Sequence, residues 1–352
     1  MPETIFNGRS AATIENDHLR VTVLVEGGHI AEVFDKQASV NPLWVPHWNS
    51  LEPSRYNAVQ HPEFGSGSEA RLLAGIMGHN LCLDLFGGPS AEEASAGFTA
   101  HGEGSVGRYE IDQSPNLLVT RLHLPLAQLA FVRSIELKEN YVLVREELEN
   151  LTEFDRPIAW TQHVTLGPPF LDPATTQFRT SMTRSIAAEG GFGANAYLKS
   201  GAEFAWPLAP SKDGGVADLS QMRLAPASGY TAHLADPQRE DAYFLAYSPQ
   251  YQLAFGYIWK RHDFPWMGIW EENCSRQLLP WDGRAITRGM EFGVSPFPES
   301  RREMVDRGRL FDVPTYRWLP AKSRLKVEYW ICSQRATSIP EKLSAPDVAE
   351  RG

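Results

Sequence analysis

Apolar residues recur at every second position in one stretch of this chain after another, which is the period of β-strands and not of helices. Residues 19–25 (LRVTVLV) nearly alternate until Gly27-Gly28 ends the run. Residues 116–124, 130–137 and 141–148 follow in quick succession. The last two are linked by Lys138-Glu139-Asn140, a connection of hairpin length. Residues 158–166, 243–247, 252–259 and 324–331 read as strands for the same reason. Helical periodicity is confined to residues 90–96 and 300–307, each enough for a turn or two.

The 28 glycines and 25 prolines are scattered as punctuation, with no linker and no repeat. Many strands without a break in composition predict an all-β chain, one large antiparallel sandwich over residues 1–335. Residues 189–228, rich in Gly, Ala and Ser, are expected to form long loops over the sheet. The stretch 336–352 is expected to be a loosely ordered tail.

With 352 residues, of which 42% are hydrophobic and 22% charged, the chain can bury a sizeable core. Its net charge of −10 and lack of a basic stripe argue against nucleic-acid binding. No basic start followed by an apolar stretch and no membrane-length apolar run is found, so no membrane association is expected. Cys82, Cys274 and Cys332 are odd in number and widely spaced, which predicts buried thiols in a cytoplasmic protein rather than disulfides or a thiolate metal site.

Three short motifs carry titratable groups among glycines. On a strand over 158–166, Ala159, Thr161, His163 and Thr165 share a small, polar face opposite Ile158, Trp160, Gln162, Val164 and Leu166. A histidine on such a face, before Gly167-Pro168-Pro169, reads as the wall of a groove. In Arg288-Gly289-Met290-Glu291-Phe292-Gly293, Met290 and Phe292 face one way, and Glu291 faces the other between two glycines. Glycine weakens a strand, so its presence on both sides of a carboxylate points to close approach of a ligand or of backbone. His101 lies in His101-Gly102-Glu103-Gly104, a loop in which it could bind a ligand oxygen.

Other polar candidates are weaker. Trp266, Trp270 and Trp281 fall in one segment with Glu271, Glu272, Asn273 and Asp282. The rings suit stacking on a sugar face and the polar groups suit its hydroxyls, although aromatic core packing explains the same pattern. The glycine-rich run around His79 and Asp84 is a further candidate for substrate contact. A divalent ion held by His79, Asp84, His101 and Glu103 would instead suit a metal-assisted sugar isomerase or lyase. A non-catalytic carbohydrate-binding protein relying on its tryptophans is a third alternative. There is no dinucleotide fingerprint, phosphate loop or GxSxG elbow, and no cofactor is expected.

The order of these motifs resembles the aldose 1-epimerase, or galactose mutarotase-like, superfamily: a histidine–glycine loop, a strand histidine before a proline-rich turn, a late glutamate strand and a closing strand near 325–331. The likeness spans roughly residues 14–333. It implies a large antiparallel β-supersandwich with a carbohydrate groove, acting on a small-molecule carbohydrate as a monomer or homodimer. By that resemblance His163 matches the general acid at the ring oxygen, Glu291 the general base at the anomeric hydroxyl, and His101 the second histidine near the ring oxygen. The resemblance implies no metal. Val164-Thr165-Leu166 stands where Tyr-Phe-Asn is usual after the acid histidine, and the Arg-Asn-Arg stretch is absent. These departures suggest a modified or acidic sugar, or a sugar conjugate, as substrate.

Overall fold

The structure is a computed structural model and describes residues 4–190 and 192–346. Two large antiparallel sheets face each other. In the first, the strands Ile30–Asp35, His79–Asp84, Arg156–Leu166, Ile286–Gly293, Trp266–Asn273, Ala227–Ala235 and Met182–Ala187 lie side by side in that order. Three N-terminal strands extend one edge, and Arg317–Leu319 pairs with the start of Arg156–Leu166. The second sheet runs Gln177–Thr180, Asp241–Ser248, Leu253–Lys260, Arg324–Arg335, Tyr141–Asn150, Leu129–Lys138, Leu117–Leu124, Glu110–Ser114. The antiparallel sandwich expected from the period-two runs is therefore present.

Alternation explains the second sheet directly. Along Leu129–Lys138 every other residue is buried, and Phe131 and Ile135 join Val144, Phe255, Tyr257 and Tyr329 in the shared core. From the opposite sheet come Leu81, Trp160, Val164, Met267, Met290 and Phe292. The rings of Phe292 and Trp259 stack at 4.2 Å between centroids. The other face of the second sheet carries solvated pairs such as Arg145–Glu328 and Lys326–Glu147.

The first sheet is covered on both faces. Residues of His79–Asp84 and Trp266–Asn273 are buried throughout. Their outer side packs under connecting segments, one of them a short helix, that bear Trp44, Leu72, Phe86, Trp281 and Phe297. The short helices expected near 90–96 and 300–307 are Ala91–Ser95 and Arg301–Arg307, each opened by a serine–glutamate capping box. A third, Ala70–Gly75, lies in a glycine-rich stretch and had no periodic signal.

Two expectations for irregular segments change. Within 189–228 the strands Glu203–Ala205, Leu208–Pro210 and Val216–Asp218 form, and Ala227 already belongs to a nine-residue strand. In the expected loose tail, Ile339, Leu343 and Ala345 pack on the second sheet against Tyr243, Leu245, Ile258 and Trp330. Gly256 makes room there, since a Cβ on it would lie 2.6 Å from Leu343 Cδ1. Residues 347–352 of that tail fall outside the described residues. Cys82 and Cys332 are buried as expected, whereas Cys274 is half-buried.

A polar cluster sits between the sheets. Arg133 Nε donates to Glu146 Oε1 at 2.8 Å, both side chains being fully buried. Glu146 Oε2 accepts from Trp160 Nε1 (2.9 Å) and Gln162 Nε2 (2.7 Å), and Tyr329 Oη donates to Glu146 Oε1 (3.0 Å). Removing one partner of such a pair strands the other charge in the core. Glu146→Ala is therefore expected to destabilise the fold by about 3–5 kcal/mol. Arg133→Met with Glu146→Leu should cost much less than the sum of the single changes, as urea unfolding of the four proteins would measure.

Candidate functional site

The first sheet's register sets the site. His163 on Arg156–Leu166 is directly opposite Asn80 on one neighbouring strand and Glu291 on the other. Glu291 is in turn opposite Gly268. These four positions form a row across the sheet on its loop-covered face. His163 Nε2 lies 3.0 Å from Glu291 Oε1, and His163 Nδ1 is 3.2 Å from Thr165 Oγ1.

His101 closes the row from above. Its ring centroid is 4.9 Å from that of His163, and its Nδ1 is 3.1 Å from Asn80 Oδ1. The residue has φ of 63°, a left-handed conformation that costs free energy in a non-glycine residue. Hydrogen bonds at both its backbone groups hold it there. Its N–H donates to the Gly87 carbonyl and its own carbonyl accepts from Leu83 N–H. Gly102 follows because a Cβ there would sit 2.1 Å from the Leu83 carbonyl oxygen.

The glycines around Glu291 make room for protein atoms. A Cβ at Gly289 would lie 2.4 Å from Glu291 Oε1, and one at Gly293 would lie 2.3 Å from Thr161 Oγ1. Gly268 leaves space for the Tyr230 phenol, whose hydroxyl donates to the Pro296 carbonyl at 3.0 Å. The expected close approach of backbone is found at Gly293, where a Cβ would also lie 2.7 Å from the Trp160 carbonyl oxygen, whereas at Gly289 the approaching atoms are side-chain atoms.

Above the row is a cavity of about 400 Å³ that His101, His163 and Glu291 share with Trp270, Trp281 and Tyr230. Burial pushes the Glu291 carboxyl up to about 8 and the His163 imidazole down to about 4. Burial, then the neighbouring His163 and His29, hold His101 well below the usual histidine range. Burial thus disfavours the charged form of both His163 and Glu291, which favours a protonated Glu291 beside a neutral His163.

Other residues singled out in the sequence lie elsewhere. His79 is on the core face, since it is one position along the strand from Asn80. It is fully buried, with Nε2 2.9 Å from Gln162 Oε1 and Nδ1 3.2 Å from Tyr257 Oη. Asp84 is buried and its carboxylate is taken by Arg156 (2.7 Å) and Arg301. Trp266 shares the outer face but is covered at its far end, where Nε1 donates to the Pro314 carbonyl. Glu272 Oε1 accepts from Ser275 and Arg276 N–H at 2.6 and 3.0 Å, fixing the turn that bears Arg276. Asp282 is exposed beside Trp281 and does not line the cavity. None of these five lines the cavity.

The grouping considered for a divalent ion does not converge either. Besides His79 and Asp84, Glu103 accepts from the backbone of Leu126 and Ala127. Among the described residues no three such ligands gather. Asn80 is the residue the sequence reading passed over, and its only signal was its place next to His79.

Comparison of the whole structure with solved structures gives extensive matches. A candidate aldose 1-epimerase of Klebsiella pneumoniae superposes with a TM-score of 0.64 at 11% identity, over 94% of this chain and 80% of that one. A galactose mutarotase-like protein of Clostridium acetobutylicum gives 0.61 at 12% identity over 95% and 98%. A galactose mutarotase related enzyme of Lactobacillus acidophilus gives 0.60 at 11% identity over 94% and 99%. The fold is that of the galactose mutarotase-like proteins. No protein-family description matches the sequence, and no curated protein is detectably similar to it. At such identity the likeness to mutarotase-like structures is one of fold, and the site stands on its own geometry.

A pH-dependent stability follows from Glu291. The unfolded chain releases this proton near the ordinary 4.5 and the folded chain near 8. Folded protein binds the extra proton between those values, so this group's contribution to stability falls as pH rises through that window. Glu291→Gln lacks this loss. Its thermal stability relative to wild type is expected to grow from pH 4.5 to pH 8 and then level off, and a difference independent of pH would contradict the shift.

Proposed function

We propose that this chain is an aldose 1-epimerase-like isomerase that interconverts sugar anomers by acid–base catalysis. The observation that carries the reading is the buried His163–Glu291 contact of 3.0 Å on the floor of a cavity. Opening a cyclic hemiacetal breaks the bond between the anomeric carbon and the ring oxygen. A proton is added at the ring oxygen and one is lost from the anomeric hydroxyl. Rotation of the resulting aldehyde and closure on its other face reverse both transfers.

The two oxygens are bonded to one carbon, so an acid and a base already in mutual contact can reach both. Glu291 acts at the anomeric hydroxyl and His163 at the ring oxygen, with His101 hydrogen-bonding near the ring oxygen. Since the resting proton is on Glu291, substrate binding must first draw it toward His163 for those roles to apply. The pair is competent while it holds one proton, whichever residue bears it. Trp270 and Trp281 offer flat apolar faces to the sugar ring.

The test is anomer exchange by proton NMR saturation transfer over a panel of neutral, acidic and phosphorylated aldoses. Glu291→Gln and His163→Asn should each slow exchange by roughly 10²–10⁴-fold with the fold intact. The rate should fall on both sides of a window from about 4 to about 8. A wild-type rate in either variant would defeat the assignment.

A further inference from the structure

The cavity is polar at its floor and at its mouth, and apolar between. The floor is His101, His163 and Glu291. At the mouth are Ser68, Glu69 and Arg276, which are half-buried or exposed. The wall joining them includes the side chains of Leu72 and Leu73 of the short helix Ala70–Gly75, of Ile76 after it, and of Phe86 and Phe192, beside the Gly87–Gly88 and Pro298 backbone. Tyr230 adds no free hydroxyl, because its own donates to Pro296.

A pyranose seated with its anomeric carbon at His163 and Glu291 would turn its remote carbons toward this wall. Hydroxyls resting on these side chains would give up water without gaining a side-chain partner, and each such loss weakens binding by roughly tenfold or more. An apolar group there would gain from burial instead. An anionic group is poorly served. Arg276 is the one Lys or Arg among the described residues lining the cavity, and its Nε is 3.5 Å from Glu272 Oε2 while Glu69 shares the mouth.

We infer that the substrate is an aldose whose carbons remote from the anomeric centre lack hydroxyls or carry an apolar substituent. This rests on the anomer-exchange reading above. Leu73 and Phe192 are then specificity-determining residues, since they form the wall where the hydroxyl-poor part of the sugar would rest.

The test compares matched sugars on wild type: D-galactose with 6-deoxy-D-galactose, and D-glucose with 6-O-benzyl-D-glucose and D-glucuronate. 6-Deoxy-D-galactose should exceed D-galactose, and 6-O-benzyl-D-glucose should exceed both D-glucose and D-glucuronate, in kcat/KM for exchange by roughly tenfold or more. In Leu73→Asn these ratios should fall toward one. Should Leu73→Asn fail to fold by thermal unfolding, Phe192→Ser in the loop provides the same comparison. Equal or better rates with D-galactose, D-glucose or D-glucuronate would overturn the inference and leave the acid–base reading standing. If no aldose is accelerated, the acid–base reading fails, and calorimetric binding of the same sugars decides the inference. Tighter binding of the apolar members would support it, and no preference or no binding would overturn it.

Discussion

The pairing register of Arg156–Leu166 with its two neighbours is the constraint on which the site depends. It aligns Asn80, His163 and Glu291 on the loop-covered face, with Gly268 beyond. Because side chains alternate, a slip of one residue would send His163 into the core and bring Gln162 out. The polar cluster between the sheets opposes such a slip. Gln162 hydrogen-bonds Glu146 and His79, and Trp160 donates to Glu146. The buried Arg133–Glu146 pair thus fixes, through one strand, what faces the cavity on the other side.

Burying ionisable groups on both sides of one sheet is costly, and the two sides meet the cost differently. Between the sheets, opposite charges and several donors satisfy each other. At the cavity floor no Lys or Arg among the described residues pairs with Glu291, and burial disfavours its charged form. A carboxyl held neutral in this way weakens stability as pH rises toward about 8. Gly289, Gly293 and Gly268 belong to the same arrangement, because each vacates a space that a neighbouring side chain occupies.

The fold was legible in strands such as Leu129–Lys138, where one sheet face meets solvent, although Arg9–Glu15 and Glu110–Ser114 went unread. In Leu129–Lys138, and in Tyr141–Asn150 from Val144 onward, burial alternates, so the sequence alternates as well. Trp266–Asn273 and His79–Asp84 are covered on both faces, which erases alternation and left them looking like an aromatic segment and a glycine-rich loop. His163 and Glu291 could be found because each sits on a face of small neighbours opposite an apolar one. His79 and Asn80 could not be told apart, since choosing between adjacent residues requires knowing that a strand is present and which face is inward. Asp84 and Glu272 attracted notice as acids, but partners distant in sequence, such as Arg301, had already claimed Asp84, and a local turn had claimed Glu272.

Burial is expected to leave Glu291 protonated beside a neutral His163 at neutral pH. Infrared difference spectroscopy across a pH titration, wild type against Glu291→Gln, tests it most directly. The account predicts a carboxylic-acid band at neutral pH that disappears through about 8 and is missing in the variant. A Glu291 carboxylate already ionised near the ordinary 4.5 would contradict it.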